Sequence, residues 1–124
     1  MTEHIRFITH RDKKILLVDV SNCSADRVEK IFRALPDFVT TQPRGSVLIF
    51  CDYTEASFNE DAIRTMKETA VFDKPYVKKS AWIGKTKDPY VASKRIAEDL
   101  GSFARRGFRA FSTRENALAW LAKD

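Results

Sequence analysis

Glycine, proline and cysteine are all scarce in this sequence. Its 124 residues include 4 Gly, 4 Pro and 2 Cys, which excludes collagen-like, low-complexity and disulfide-scaffold proteins. Cys23 and Cys51 lack the paired spacing of a zinc site, so we interpret both as buried apolar side chains in a reducing compartment. No apolar run approaches the roughly 18 residues that a membrane span requires. These absences predict a cytoplasmic protein that needs neither a metal nor a disulfide for stability.

The composition of the chain is that of an ordinary folded domain. With 44% hydrophobic and 31% charged residues, residues 1–124 are predicted to fold as one domain around one core. The formal net charge is +5, and the basic excess lies between residues 74 and 109. This stretch fits either an anionic partner or a solvated helix face with pairs such as Lys94 and Glu98. We favour the solvated face and do not expect a nucleic-acid partner.

Segments with strand periodicity alternate with segments of helical periodicity. Two short N-terminal strands separated by a polar turn predict a β-hairpin. Each later strand follows a helix, which requires parallel pairing with right-handed crossovers. We therefore predict an α/β fold of order ββαβαβαβα, with a mostly parallel five-stranded sheet and an antiparallel N-terminal edge strand. The predicted strands are residues 5–10, 14–20, 46–51, 80–83 and 108–111.

Four helices are predicted from their capping residues. The first begins after Ser24 and ends or kinks at Pro36, because proline cannot continue the helical hydrogen bonding. Capping-box and Asp-Pro patterns mark the others. The predicted starts of these three helices are Ser57 with Glu60, Asp88 with Pro89, and Ser112 with Glu115.

Both faces of the predicted sheet are apolar. The runs 15–18 and 47–50 contain no polar alternation, which is typical of strands covered on both sides. Right-handed crossovers would place the connecting helices on one face. The other face would be covered by the N-terminal hairpin and the closing helix, or by a second subunit. We favour a homodimer.

A candidate anion site follows the strand that ends at residue 83. Gly84-Lys85-Thr86 is similar to the end of a phosphate-binding P-loop, but the glycine that this motif needs at position 79 is a lysine. A weaker site remains, in which Lys85, Thr86 and Lys87 and the next helix N-terminus hold an anion. Tyr90 and Trp82 would add an apolar wall. The alternative is an ordinary polar loop.

Carboxylates, histidines and cysteines do not form a recognisable catalytic set. Asp19 and Asp52 end two apolar strands, as in phospho-accepting receiver domains, but the second carboxylate that would hold Mg²⁺ after the first strand is absent. Asp52 is better explained as a loop or cap residue. His4 and His10 are too far apart to ligate one metal without a third partner. We therefore predict a non-enzymatic protein without cofactor or metal.

Four segments of the chain carry a family resemblance: the strand ending at Asp52, DKPYVK at 73–78, AWIG at 81–84 and FSTRENALAWL at 111–121. They resemble the bacterial SpoIIAA-like family, which is related to STAS domains and often described jointly with the CRAL-TRIO lipid-binding fold. The resemblance covers nearly the whole chain. It implies a β-α superhelix of about four turns, without enzymatic activity, that makes regulatory protein contacts or binds an apolar ligand.

The resemblance also points to a phosphorylation switch. In STAS anti-sigma-factor antagonists, a partner kinase phosphorylates a serine in an Asp-Ser-x-Gly turn after the central strand. This chain has Asp52-Tyr53-Thr54-Glu55 there, so the aspartate matches and the adjacent serine is absent. The candidates for a partner or phosphorylation site are therefore Asp52, Thr54 and Ser57. A phosphate on Ser57 would gain from the next helix N-terminus, and its alternative role is that of a helix cap.

Two functions follow from these observations. Our leading interpretation is a regulatory protein-interaction module of the SpoIIAA/STAS-like type, with a protein partner. The alternative is a carrier or sensor of an apolar or amphipathic anion such as a lipid. A carrier needs an enclosed apolar cavity of roughly 300 Å³ or more, whereas a docking module needs only an exposed surface.

Overall fold

Strands and helices alternate along the parts of the chain that the computed structural model describes, residues 4–84 and 108–123. Five strands and three helices lie in these two stretches. The predicted helix that begins at Asp88 falls outside the described residues. The elements are β1 (Ile5–His10), β2 (Lys13–Asp19), α1 (Ala25–Val39), β3 (Val47–Asp52), α2 (Glu60–Asp73), β4 (Val77–Ile83), β5 (Phe108–Phe111) and α3 (Arg114–Ala122).

The five strands form one sheet in the order β1-β2-β3-β4-β5. β1 is antiparallel to β2, and the other pairs are parallel, so the predicted mixed sheet is confirmed. Arg11 and Asp12 turn the hairpin with φ values of 51° and 66°, the backbone that a tight two-residue turn requires. β4 begins at Val77, earlier than predicted, because Val77 already pairs with Val47 of β3.

The two faces of the sheet carry separate apolar clusters. The first cluster joins strand residues such as Val18, Ile49 and Cys51 to α1 and α2. The second cluster joins the alternate strand residues to Ala117 and Leu121 of α3. α3 lies opposite α1 and α2 because it follows the last strand and is not a crossover between strands. The predicted cover by the closing helix is thus present, and the homodimer stays a prediction.

Helix α1 begins where predicted but runs past its proline. Ser24 is the N-cap, and its hydroxyl accepts a hydrogen bond from the backbone N–H of Arg27 at 3.3 Å. Of the two predicted effects of Pro36, an end to the helix is wrong, since α1 continues to Val39, and a kink stays a prediction. Proline removes one backbone hydrogen bond, and the complete burial of Val39 in the first cluster offsets that loss. The helix ends as Thr40 bonds back to the Pro36 carbonyl.

The caps of α2 and α3 differ from the predicted ones. Asn59, and not Ser57, caps α2, and Thr113, and not Ser112, caps α3. Each of these side chains accepts a hydrogen bond from the backbone N–H three residues later, at 2.9 and 3.1 Å. Ser57 lies outside the cap position because α2 begins three residues later, at Glu60, and the N–H of Ser57 is bonded to the Cys23 carbonyl at 2.9 Å. The sequence pattern placed these two caps too early.

Candidate functional site

Two aspartates lie side by side at the carboxyl edge of the sheet, which we define as the ends of β2 and β3. Asp19 and Asp52 are register partners on these strands. The Oδ1 atom of Asp19 accepts hydrogen bonds from the N–H and hydroxyl of Ser21, at 3.0 and 2.6 Å. Oδ1 of Asp52 accepts the same pair from Thr54, at 3.0 and 2.6 Å. Each aspartate therefore fixes its own loop through a local turn.

The loops after β2 and β3 are joined by backbone hydrogen bonds. The N–H of Asn22 donates to the Thr54 carbonyl at 2.8 Å, and the N–H of Ser57 donates to the Cys23 carbonyl at 2.9 Å. Asn22 and Glu55 have left-handed backbones, with φ of 58° and 54°. These bonds make the two loops one continuous surface, which we call the edge-loop surface (residues 19–24 and 52–59).

The three residues predicted as a switch all lie on the edge-loop surface, but the hydroxyls of Thr54 and Ser57 differ in exposure and hydrogen bonding. The Thr54 hydroxyl is half-buried and donates to Asp52. Ser57 is exposed, and within the described parts of the chain its hydroxyl makes no hydrogen bond. Since Asn59 is the cap of α2, Ser57 has no capping role. Of the two hydroxyls, that of Ser57 is therefore the accessible one.

Tyr53 ties the edge-loop surface to β4. Its N–H donates to the Ile83 carbonyl at 2.9 Å. A Cβ atom on Gly84 would lie 2.8 Å from the Tyr53 ring, closer than any ordinary contact, so only glycine fits there. Desolvation by burial raises the pKa of the Tyr53 hydroxyl. Tyr53 thus holds the end of β3 against the end of β4.

Trp82 belongs to the first cluster. Its ring stacks on Phe32 with centroids 5.8 Å apart, and its Nε1–H donates to the Ser80 hydroxyl at 2.8 Å. Only 8% of the residue is exposed. The other residues of the predicted anion site, Lys85, Thr86, Lys87 and Tyr90, lie outside the described residues. That site therefore stays a prediction, and Trp82 faces the interior between the sheet and the helices.

A cavity of about 100 Å³ lies between the sheet and helices α1 and α2. Its walls are mainly apolar, and one carboxyl group lines it. Sequence reasoning missed this site, although a signal was present: Asp73 continues the stripe of Met66 and Ala70 on α2, where an apolar residue is expected. The apolar walls include Val18, Phe32, Ile49, Met66, Ala70 and Trp82.

Asp73 is the unusual residue of this cavity. It is 2% exposed, and its Oδ1 atom has no hydrogen-bond partner among the described residues. Burial alone raises the pKa of its carboxyl from 3.8 to about 7. It is also the last residue of α2, where the helix dipole disfavours negative charge. Native proteins rarely leave such a buried acceptor unpaired.

Cysteine and histidine side chains are the candidate reactive groups of the described residues. Cys23 and Cys51 are free and buried, as predicted, and desolvation by burial raises the pKa of the Cys51 thiol well above its ordinary value, which disfavours the reactive thiolate. His4 precedes β1 and His10 is its last residue, and Nδ1 of His4 is 3.0 Å from the Asp19 carbonyl oxygen. Within residues 4–84 and 108–123, no three His, Cys, Asp or Glu side chains cluster as metal ligands. None of the helices described there is long and apolar enough to span a membrane.

One solved structure is similar to this chain over nearly its whole length. No protein-family model matches the sequence, and no curated protein matches it. The solved structure is an uncharacterized protein of the DUF3478 family with a SpoIIAA-like fold from Shewanella loihica. Its TM-score is 0.72 at 18% sequence identity, over 95% of this chain and 92% of that chain. At this identity the likeness establishes the fold, so this chain has a SpoIIAA-like fold.

Proposed function

We propose that this protein is a non-enzymatic regulatory module whose edge-loop surface docks a protein partner, with Ser57 as the phosphorylation switch. The observation that carries this proposal is the exposed Ser57 hydroxyl beside the Asp52–Thr54 turn. The Thr54 hydroxyl is already bonded within that turn, and Ser57 does not cap a helix. The SpoIIAA-like fold supports a STAS-like module.

The loop bonds make this surface suitable for docking. Hydrogen bonds between the two loops hold the backbone in one arrangement before a partner arrives, which lowers the entropy lost on binding. The surface around Ser57 is acidic, since Asp52 and Glu55 precede it in sequence and Glu60 and Asp61 follow it. We therefore expect a partner with a basic face.

Phosphorylation would change the charge of the docking surface. A phosphate on Ser57 adds roughly −1.5 to −2 charge beside carboxylates that are already present. It would strengthen the attraction for a basic partner or repel an acidic one. The effect would fall with rising salt, because the groups are exposed.

The test compares Ser57→Ala and Ser57→Glu with the wild type. Each protein is immobilised and exposed to a lysate of source cells, and bound proteins are identified by mass spectrometry. The matched control is Ser46→Glu, at an exposed serine before β3 on the opposite edge of the sheet. We expect one partner whose retention changes at least tenfold between the two Ser57 variants and not with Ser46→Glu. Equal retention by all four proteins would refute the switch.

The described cavity does not favour the carrier function. Its volume of about 100 Å³ is below the roughly 300 Å³ of typical ligand pockets. Its buried polar group is a carboxyl, which would repel an anionic headgroup. Native mass spectrometry of the purified protein would detect a bound lipid directly and report the oligomeric state in the same spectrum.

A further inference from the structure

The buried carboxyl of Asp73 faces a cavity, and one of its oxygens has no hydrogen-bond partner among the described residues. The backbone of Asp73 is fixed, because its carbonyl accepts a hydrogen bond from the N–H of Tyr76 at 2.8 Å in the turn between α2 and β4. The side chain is 98% removed from solvent, since 2% of the residue is exposed. An orphan acceptor beside open space is an arrangement that a bound hydrogen-bond donor would complete.

The hydroxyl groups that line the cavity are already engaged. The Ser80 hydroxyl accepts from the Trp82 Nε1–H at 2.8 Å. The Thr69 hydroxyl donates to the carbonyl of Thr65 within its own helix at 2.9 Å. A buried water needs two to four polar partners, whereas among the buried side-chain nitrogen and oxygen atoms of the described residues only Oδ1 of Asp73 has no partner. The site therefore favours a mainly apolar molecule with one donor over a water.

The cavity walls suit a flat ring. Phe32 and Trp82 stack with an angle of 18° between their planes, and Met66 adds an adaptable side chain. The volume of about 100 Å³ is of the same order as an apolar cavity of about 150 Å³ that binds benzene in another protein. Because this space is smaller than that cavity, a single six-membered ring is the largest ring system that it admits.

Charge restricts the ligand further. The Asp73 carboxylate repels an anion, and the exposed Lys74 and Lys78 line the same cavity and repel a cation at its mouth. A neutral ligand avoids both penalties. Because these two lysines are exposed, the cavity also has a route from solvent near the α2–β4 turn.

We propose that this cavity binds a small neutral aromatic alcohol and that Asp73 accepts the hydrogen bond from its hydroxyl. The ring lies among Phe32, Met66 and Trp82, and the hydroxyl points to the end of α2. This site is distinct from the edge-loop surface and does not depend on Ser57. It gives the regulatory module a ligand to which it can respond.

The experiment titrates phenol and toluene, which match in size and differ in the hydroxyl. Binding is followed by NMR through the methyl group of Met66 at about pH 8, above the pKa of Asp73. A hydrogen bond to a charged acceptor contributes about 1.5–3 kcal/mol, so phenol should bind the wild type at least tenfold more tightly than toluene. Equal affinities, or no shift with phenol at millimolar concentration, would overturn the proposal.

Two variants assign the preference to the carboxyl. Asp73→Leu keeps the approximate shape and removes the acceptor, so the two compounds should then bind within about twofold of each other. Asp61→Leu, at an exposed aspartate of the same helix, should retain the preference of the wild type. A phenol preference that persists in Asp73→Leu would also refute the assignment. If that variant does not fold, the comparison of phenol with toluene on the wild type still tests the proposal.

Discussion

The raised pKa of Asp73 predicts that this protein loses stability as the pH rises through the acidic range. In the unfolded chain the carboxyl has its ordinary pKa of 3.8, and in the folded protein burial raises it to about 7. Below pH 3.8 both states are protonated, and the group has no effect. Between these values the folded protein holds a proton that the unfolded chain has released, so the free energy of unfolding falls as the pH rises. Above about 7 the loss is complete.

The size of the effect follows from the two pKa values. Each pH unit between them contributes about 1.4 kcal/mol, so the loss between pH 4 and pH 7 is about 4 kcal/mol at most. This is a large part of the 5–15 kcal/mol that stabilises a typical domain. Lys74, Lys78 and Cys51 also line the cavity, and no ion pair joins Asp73 to either lysine in the described residues.

The assay is urea unfolding of the wild type and Asp73→Asn at intervals from pH 4 to pH 8. Asparagine removes the titration and keeps the shape. The energetic cost of burying asparagine does not depend on pH, so it does not affect how the free energy of unfolding changes with pH. We expect the wild type to lose about 3–4 kcal/mol relative to Asp73→Asn across this range. Asp61→Asn, at an exposed site, should follow the wild type. Parallel curves for the wild type and Asp73→Asn would show that the buried carboxyl is not perturbed as argued.

Three further predictions concern the fold and the switch region. Asn59→Ala should lower the free energy of unfolding by about 1 kcal/mol, as loss of a cap does. Ser57→Ala should change it by only a few tenths of a kcal/mol. If urea unfolding shows the larger loss for Ser57→Ala, Ser57 and not Asn59 is the cap of α2. Gly84→Ala should destabilise by about 1–3 kcal/mol through the Tyr53 ring, and a second change, Tyr53→Leu, should recover part of that loss in thermal unfolding. Phe50→Ala should destabilise by about 3–5 kcal/mol because Phe50 is 0% exposed, and a loss under 1 kcal/mol would contradict the second cluster.

The sheet was predictable from the sequence because strand burial leaves a direct signal. The uninterrupted apolar runs of β2 and β3 and the polar turn at Arg11 and Asp12 sufficed for the strands and the hairpin. Helix caps were less predictable, since Ser57 and Asn59 are both good capping residues and the loop hydrogen bond to Cys23 decides between them. Such a bond depends on residues distant in sequence, which local patterns do not contain.

The candidate site was predictable only in part. The sequence located Asp52 and Thr54 at one strand end, and parallel pairing placed Asp19 beside them. The cavity was missed because it depends on how α1 and α2 pack together over the sheet. The stripe of Met66 and Ala70 extends to Asp73, but a carboxyl at a helix end is ordinarily solvated, so this pattern alone does not establish its burial.

The position of α3 has a consequence for how the protein is made. The second cluster takes Ile15, Leu17 and Phe50 from early strands and is covered by α3, which the ribosome synthesises after all the other described elements. During translation the first face of the sheet can be buried by α1 and α2 while these side chains remain exposed, because α3 has not yet been synthesised. Exposed apolar strands of this kind are prone to aggregate and to engage chaperones. A nascent chain stalled before residue 114 would thus have one face of the sheet covered by helices and one apolar face exposed to solvent.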